Sequence, residues 1–127
     1  MKTTLRLALA LALVSVGALS AAVAAPDFAG TWIGKTDVPD VGADQVTLVI
    51  KKTDSGYAAT ISDSAALIAD KTEARDVKVD GETISFWFPL ASGETVSVQL
   101  KIAGDTMNGG WAHESGSTGS LIFERQK

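Results

Sequence analysis

A chain of 127 residues, with 11 Lys and Arg against 15 Asp and Glu, has room for one small domain. It contains no cysteine, which excludes disulfides, thiolate catalysis and lipid attachment through an N-terminal cysteine. Its acidic balance, without any basic run, argues against nucleic acid or an anionic membrane as a partner.

The N-terminal block inflates the hydrophobic fraction of 46% and reads as a secretory signal peptide, residues 1–24. Lys2 and Arg6 supply a positive start and Leu7 to Leu19 an apolar run. Ala22-Val23-Ala24 places small residues where a signal peptidase cuts. The competing reading is an uncleaved anchor, since a spanning helix needs roughly 20 apolar residues; the A-x-A pattern favours cleavage. Loss of Lys2 and Arg6 leaves nine basic against fifteen acidic residues, a net charge of −6 on residues 25–127. The expectation is a periplasmic or secreted single domain with no stable membrane insertion after cleavage.

From Gly30 to Arg125 a two-residue apolar alternation recurs between Gly- and Asp-rich turn signals, the pattern of an all-β meander. Eight strands are predicted: Gly30 to Asp37, Gln45 to Thr53, Tyr57 to Ser62, Ala74 to Val79, Thr83 to Phe88, Thr95 to Ile102, Met107 to Ala112 and Ser120 to Arg125. Asp54-Ser55-Gly56, Asp80-Gly81 and Gly104-Asp105 read as tight hairpin turns, whereas the alternate connections look longer. In an up-and-down order the tight turns share one end and the longer loops the other. Closure into an eight-stranded antiparallel barrel, preceded by the signal-peptide helix, removes both sheet edges. Its interior is either filled by side chains or wide enough for one small ligand.

Phe28-Ala29-Gly30-Thr31-Trp32, with the meander behind it, resembles the opening of lipocalin-like and related calycin barrels. The resemblance implies that Trp32 sits at the closed end of the first strand, with a basic residue of the last strand, here Arg125, packed over it. Gly104 to Trp111 is similar to a hairpin in small secreted bacterial barrel domains, mostly uncharacterised. The chain is shorter than a true lipocalin and lacks its long C-terminal helix and disulfide, which argues against a large cavity.

Parity directs Ile61, Phe86, Phe88 and Trp111 inward. Near the open end, with Leu67 and Ile68 of the segment Asp63 to Asp70, they are the candidate ligand-binding residues. That Ala- and Leu-rich segment reads as one helical turn with Asp63 or Ser64 as N-cap, acting as a fixed plug or a mobile lid. Trp87 points outward, a candidate partner contact with Ile33 and Val49. More than half of the fifteen acids fall in or beside the open-end loops, with Lys71 as their one base. His113 is the only histidine, and no metal-ligand, nucleophile-elbow or phosphate-loop pattern occurs. The expectation is a non-catalytic barrel without cofactor or metal that takes a small apolar or amphipathic ligand at its loop-bearing end. The alternative is a side-chain-filled barrel serving as an interaction or structural module of the cell envelope.

Overall fold

Alternating apolar residues give each strand one face that must leave water, and antiparallel neighbours in register join those faces into one interior. The computed structural model describes residues 25–127; the signal-peptide reading of residues 1–24 lies outside them. Nine strands form: β1 Gly30–Val38, β2 Gly42–Thr53, β3 Gly56–Asp63, β4 Thr72–Glu73, β5 Arg75–Asp80, β6 Thr83–Pro89, β7 Thr95–Ala103, β8 Thr106–His113 and β9 Thr118–Arg125. They make one antiparallel up-and-down sheet in the order β4-β3-β2-β1-β9-β8-β7-β6-β5. The β1–β9 ladder, with Trp32 opposite Arg125, brings the first and last long strands together.

The expected count of eight strands is corrected to nine because the fourth changes partners part-way. Thr72–Glu73 pairs with β3, Arg75–Asp80 pairs with β6, and only Ala74 stands between them. The Ala74 amide still donates to the Ala59 carbonyl at 2.9 Å. Beyond it the register slips: Arg75 opposes Trp87, but Lys78 opposes Ser85, so one extra residue is accommodated in β5. Asp76 adopts φ 52° there. The two ends of the sheet are thus halves of one bent strand, and the barrel is nearly closed. Val79 remains 41% exposed, because no strand ladders to the other side of β5.

At the pinched end the hairpins turn through residues 54–55, 81–82 and 104–105. Gly104, at φ 64°, occupies a left-handed position that a β-carbon would strain. The N-terminal segment crosses this end as a floor. Phe28 is wholly buried there and packs edge-on against Tyr57 at 5.6 Å, while the Trp32 indole N–H donates to the Phe28 carbonyl at 3.0 Å. The Tyr57 hydroxyl reaches the backbone of the same segment. Arg125 stacks over Trp32 with its guanidinium carbon 4.3 Å from the ring centre. It also donates to the carbonyls of Asp27 and Ala29 and to the Asp105 carboxylate. Hydrogen bonds from Arg125, then from Lys127, hold the Asp105 carboxyl below its ordinary pKa.

The open end is tighter than the sequence suggests. Gly42, Ala43 and Asp44 extend β2 by pairing with Val38, Asp37 and Thr36, so the first connection shrinks to Pro39–Val41. The one long crossing is residues 64–71, between β3 and β4. The expected helical turn does not form. Ala66 sits at φ 59°, in the left-handed region, which interrupts a right-handed turn.

Candidate functional site

The lower half of the barrel is packed solid, with Trp32, Leu48, Ile50, Leu100, Met107 and Phe123 essentially buried. Above them the interior opens into a cavity of about 430 Å³, within the roughly 300 to 1,000 Å³ of small-molecule sites. Its wall is apolar: Val46 from β2, Ile61 from β3, Phe88 from β6, Val96 and Val98 from β7, and Leu121 from β9. Each occupies the inward parity of its strand, and each belongs to the half of the strand that leads to the loops.

The candidate ligand-binding residues divide five to one. Ile61, Leu67, Ile68, Phe88 and Trp111 line this cavity. Phe86 does not, and that expectation is corrected: it shares the inward face of β6 with Phe88 but lies two residues, about 7 Å, nearer the floor. There it joins the packed core. Val46, Val96, Val98 and Leu121 belong to the wall as well; their inward parity at the loop-proximal ends of the strands was the available signal.

Trp111 shapes one side of the cavity. It stands opposite Gly119 across the β8–β9 ladder, and a β-carbon on Gly119 would overlap its indole. The ring therefore lies over β9 and reaches β1, where its N–H donates to the Thr36 hydroxyl at 2.9 Å. That hydroxyl in turn donates to the Ser120 carbonyl.

Residues 64–71 cross the mouth, held by two carboxylates. Asp44, 3% exposed, accepts the Ala65 amide at 2.9 Å and the Ser64 hydroxyl at 3.1 Å. Asp63 accepts the amides of Leu67 at 3.2 Å and Ile68 at 2.9 Å. On the far side the Leu67 carbonyl takes the Ala91 amide at 2.8 Å. The crossing is therefore tied to both walls, and it presents Leu67 and Ile68 to the cavity beneath. Burial raises the Asp63 pKa, as do a hydrogen bond and the negative charge from Asp44; the two lid amides pull the other way and do not prevail.

The rim adds Asp40, Glu94 and His113. The Ser115 amide donates to His113 Nδ1 at 3.0 Å, so the neutral ring carries its proton on Nε2, 3.5 Å from Glu94. Ser115 Oγ also lies 2.8 Å from Nδ1. Acid, histidine and serine are thus in sequence, but the lone pair that would have to deprotonate the serine already accepts an amide. The geometry orders the turn and activates no nucleophile. Among the described residues no three His, Asp or Glu side chains gather to hold a metal ion.

Trp87 stands on the outer face, half-buried. Its indole N–H donates to Asp76 at 2.7 Å, and the Arg75 guanidinium lies 5.1 Å from its ring centre. Both partners come from the bulged strand β5. The suggested patch with Ile33 and Val49 does not assemble, because β7, β8 and β9 separate those strands from β6.

Comparison with solved structures places this architecture among known barrels. A de novo designed fluorescence-activating β-barrel superposes with a TM-score of 0.53 at 18% identity, over 78% of this chain and 94% of that one. A variant of the fluorescent protein UnaG gives 0.51 at 14% identity, over 79% and 96%. The secretory abundant heat soluble protein 4 of Ramazzottius varieornatus gives 0.48 at 15% identity, over 78% and 94%. The fold these chains share is a nearly closed, antiparallel up-and-down β-barrel. No protein-family model and no curated protein matches the sequence.

Proposed function

We propose that this chain is an exported, non-catalytic barrel that binds one small apolar or amphipathic molecule in the cavity at its loop-bearing end. The observation that carries the reading is the contrast between the two halves of one interior. The floor is packed to exclude everything, whereas the upper half leaves about 430 Å³ behind an apolar wall. Packing at crystal-like density is the norm for protein interiors, so an apolar void of this size, roofed by Leu67 and Ile68, is a place for a guest. That two of the similar barrels are by name fluorescent or fluorescence-activating agrees with an interior that accommodates a chromophore-sized group. Export rests on the pattern of residues 1–24.

The test is titration with the neutral fluorophore N-phenyl-1-naphthylamine. The expected result is saturable enhancement with one site per chain, abolished by Val46→Phe, which projects a ring into the cavity while the far-UV spectrum stays unchanged. Absence of saturable binding to the unmodified protein would refute the proposal. For export, the chain recovered from periplasm or medium is expected to have the mass of residues 25–127; a full-length mass would overturn that part.

A further inference from the structure

Four carboxylates line the cavity, those of Asp40, Asp44, Asp63 and Glu94, and no lysine or arginine does. The chain has bases enough, but the barrel directs them elsewhere. Arg125 closes the floor over Trp32, Arg75 covers Trp87 on the outside, and Lys71 lies on the outer face of β2 and β3. An apolar guest with a carboxylate head would therefore meet four like charges, with only His113, 3.5 Å from Glu94, to set against them. We propose that the ligand of this cavity is a cationic amphiphile, an alkyl- or arylalkyl-ammonium whose head sits among the rim carboxylates and whose apolar body runs down toward Val98. The proposal rests on the ligand-binding reading above and specifies its chemistry.

Two independent features of the same space support it. Asp44 and Asp63 are placed side by side under the lid, where Asp44 is almost fully buried. The Asp63 pKa is raised first by burial, then by the hydrogen bond and the negative charge of Asp44. A cation delivered to that spot relieves like charge that the fold itself leaves uncompensated, in a low-dielectric setting where ion–ion forces are strong. Below the acids, Val46, Ile61, Phe88, Val96, Val98 and Leu121 provide no polar side chain at all, so the polar part of a guest has one end at which to reside. Phe88 and Trp111 also line this cavity, and aromatic rings attract cations.

The experiment is displacement of N-phenyl-1-naphthylamine at neutral pH by three probes of equal chain length: decylamine, decanol and decanoate. Decylammonium is expected to displace at about tenfold lower concentration than decanol, and decanoate to be weaker than both. Asp63→Asn is expected to remove most of the preference. Because Asp63 also holds the lid, the double variant Asp40→Asn with Glu94→Gln, which spares the lid hydrogen bonds, is the second reading of the same effect. Equal displacement by decanol and decylammonium, or stronger displacement by decanoate, overturns the charge assignment while leaving a ligand-binding cavity. Failure of the fluorophore itself to bind removes the cavity reading and this proposal together.

Discussion

The guanidinium carbon of Arg125 lies 4.3 Å from the centre of the Trp32 indole, and the two residues face each other in the ladder that joins β1 to β9. The contact fastens the first strand to the last and, through the carbonyls of Asp27 and Ala29, fastens the floor segment to both. Arg125→Ala is expected to cost about 2 to 3 kcal/mol in urea unfolding, from a stacked cation and charge-assisted hydrogen bonds lost together. Arg125→Lys should recover less than half of that, since an ammonium lacks the planar fork. A loss below about 0.5 kcal/mol for the alanine variant would show the stack to be energetically idle.

Gly119 is required by its neighbour. A methyl group there must move the Trp111 ring off β9, which breaks its bond to Thr36. Gly119→Ala is expected to destabilise by about 1 to 3 kcal/mol, as overpacking does, with a red shift in tryptophan emission as Trp111 meets water. Thr36→Val removes the hydrogen bond and leaves the ring seated, so a smaller loss of about 1 kcal/mol and no such shift are expected. Equal effects from the two variants would contradict this account.

Asp63 gives stability a pH dependence of definite sign. Its native pKa is raised above the ordinary 3.8, mainly by burial and then by Asp44. The native state therefore holds the proton to higher pH than the unfolded chain does. The associated stability is whole below 3.8 and is lost as pH rises through the raised native value. Asp44, Asp40, Glu94 and His113 line the same cavity. The clean observable is thus the difference between the unmodified chain and Asp63→Asn. That difference is expected to move against the unmodified chain as pH is raised from acid through the carboxylate range; movement in the other direction would mean that the lid amides outweigh burial.

Ala66 occupies left-handed backbone without a side chain able to bond locally. Ala66→Gly is expected to stabilise the chain by about 0.5 kcal/mol, because relief of roughly 1 kcal/mol of strain exceeds the added freedom of the unfolded glycine. Thermal unfolding at one fixed pH checks it, and a lowered midpoint would show that the lid backbone is unstrained.

Legibility followed the periodicity. Strands such as Thr95–Ala103, with Val96, Val98, Leu100 and Ile102 in phase, announce both their extent and their buried face. Gly30-Thr31-Trp32 and Arg125 announced the floor, but not Phe28, whose isolation in sequence hides its burial. Where alternation fails, so did foresight. Gly42 and Ala43 carry no strand preference, yet they are drawn into β2 by the waiting edge of β1. At Asp76 one extra residue shifts the phase, so Arg75 and Lys78 mark a bulge only once their partners on β6 are known. Phe86 and Phe88 have equal parity; their depths along the barrel decide that only Phe88 meets the cavity. The acids of the mouth were visible as composition, whereas the pairing of Asp44 with Asp63 under the lid depends on the β2–β3 register, in which Val46 opposes Asp63.

The bent strand at Ala74 also determines how this ring can be opened. Every other junction of neighbouring strands is a run of hydrogen bonds, but between Glu73 and Arg75 the circle is completed by the covalent chain itself. Scission beside Ala74 would sever no full ladder and would leave both flanking hairpin stacks paired internally, joined through β1 and β9. The two margins would then be held together by the buried interior alone, so a nick at this one place separates the part of the ring's closure that is packing from the part that is chain connectivity.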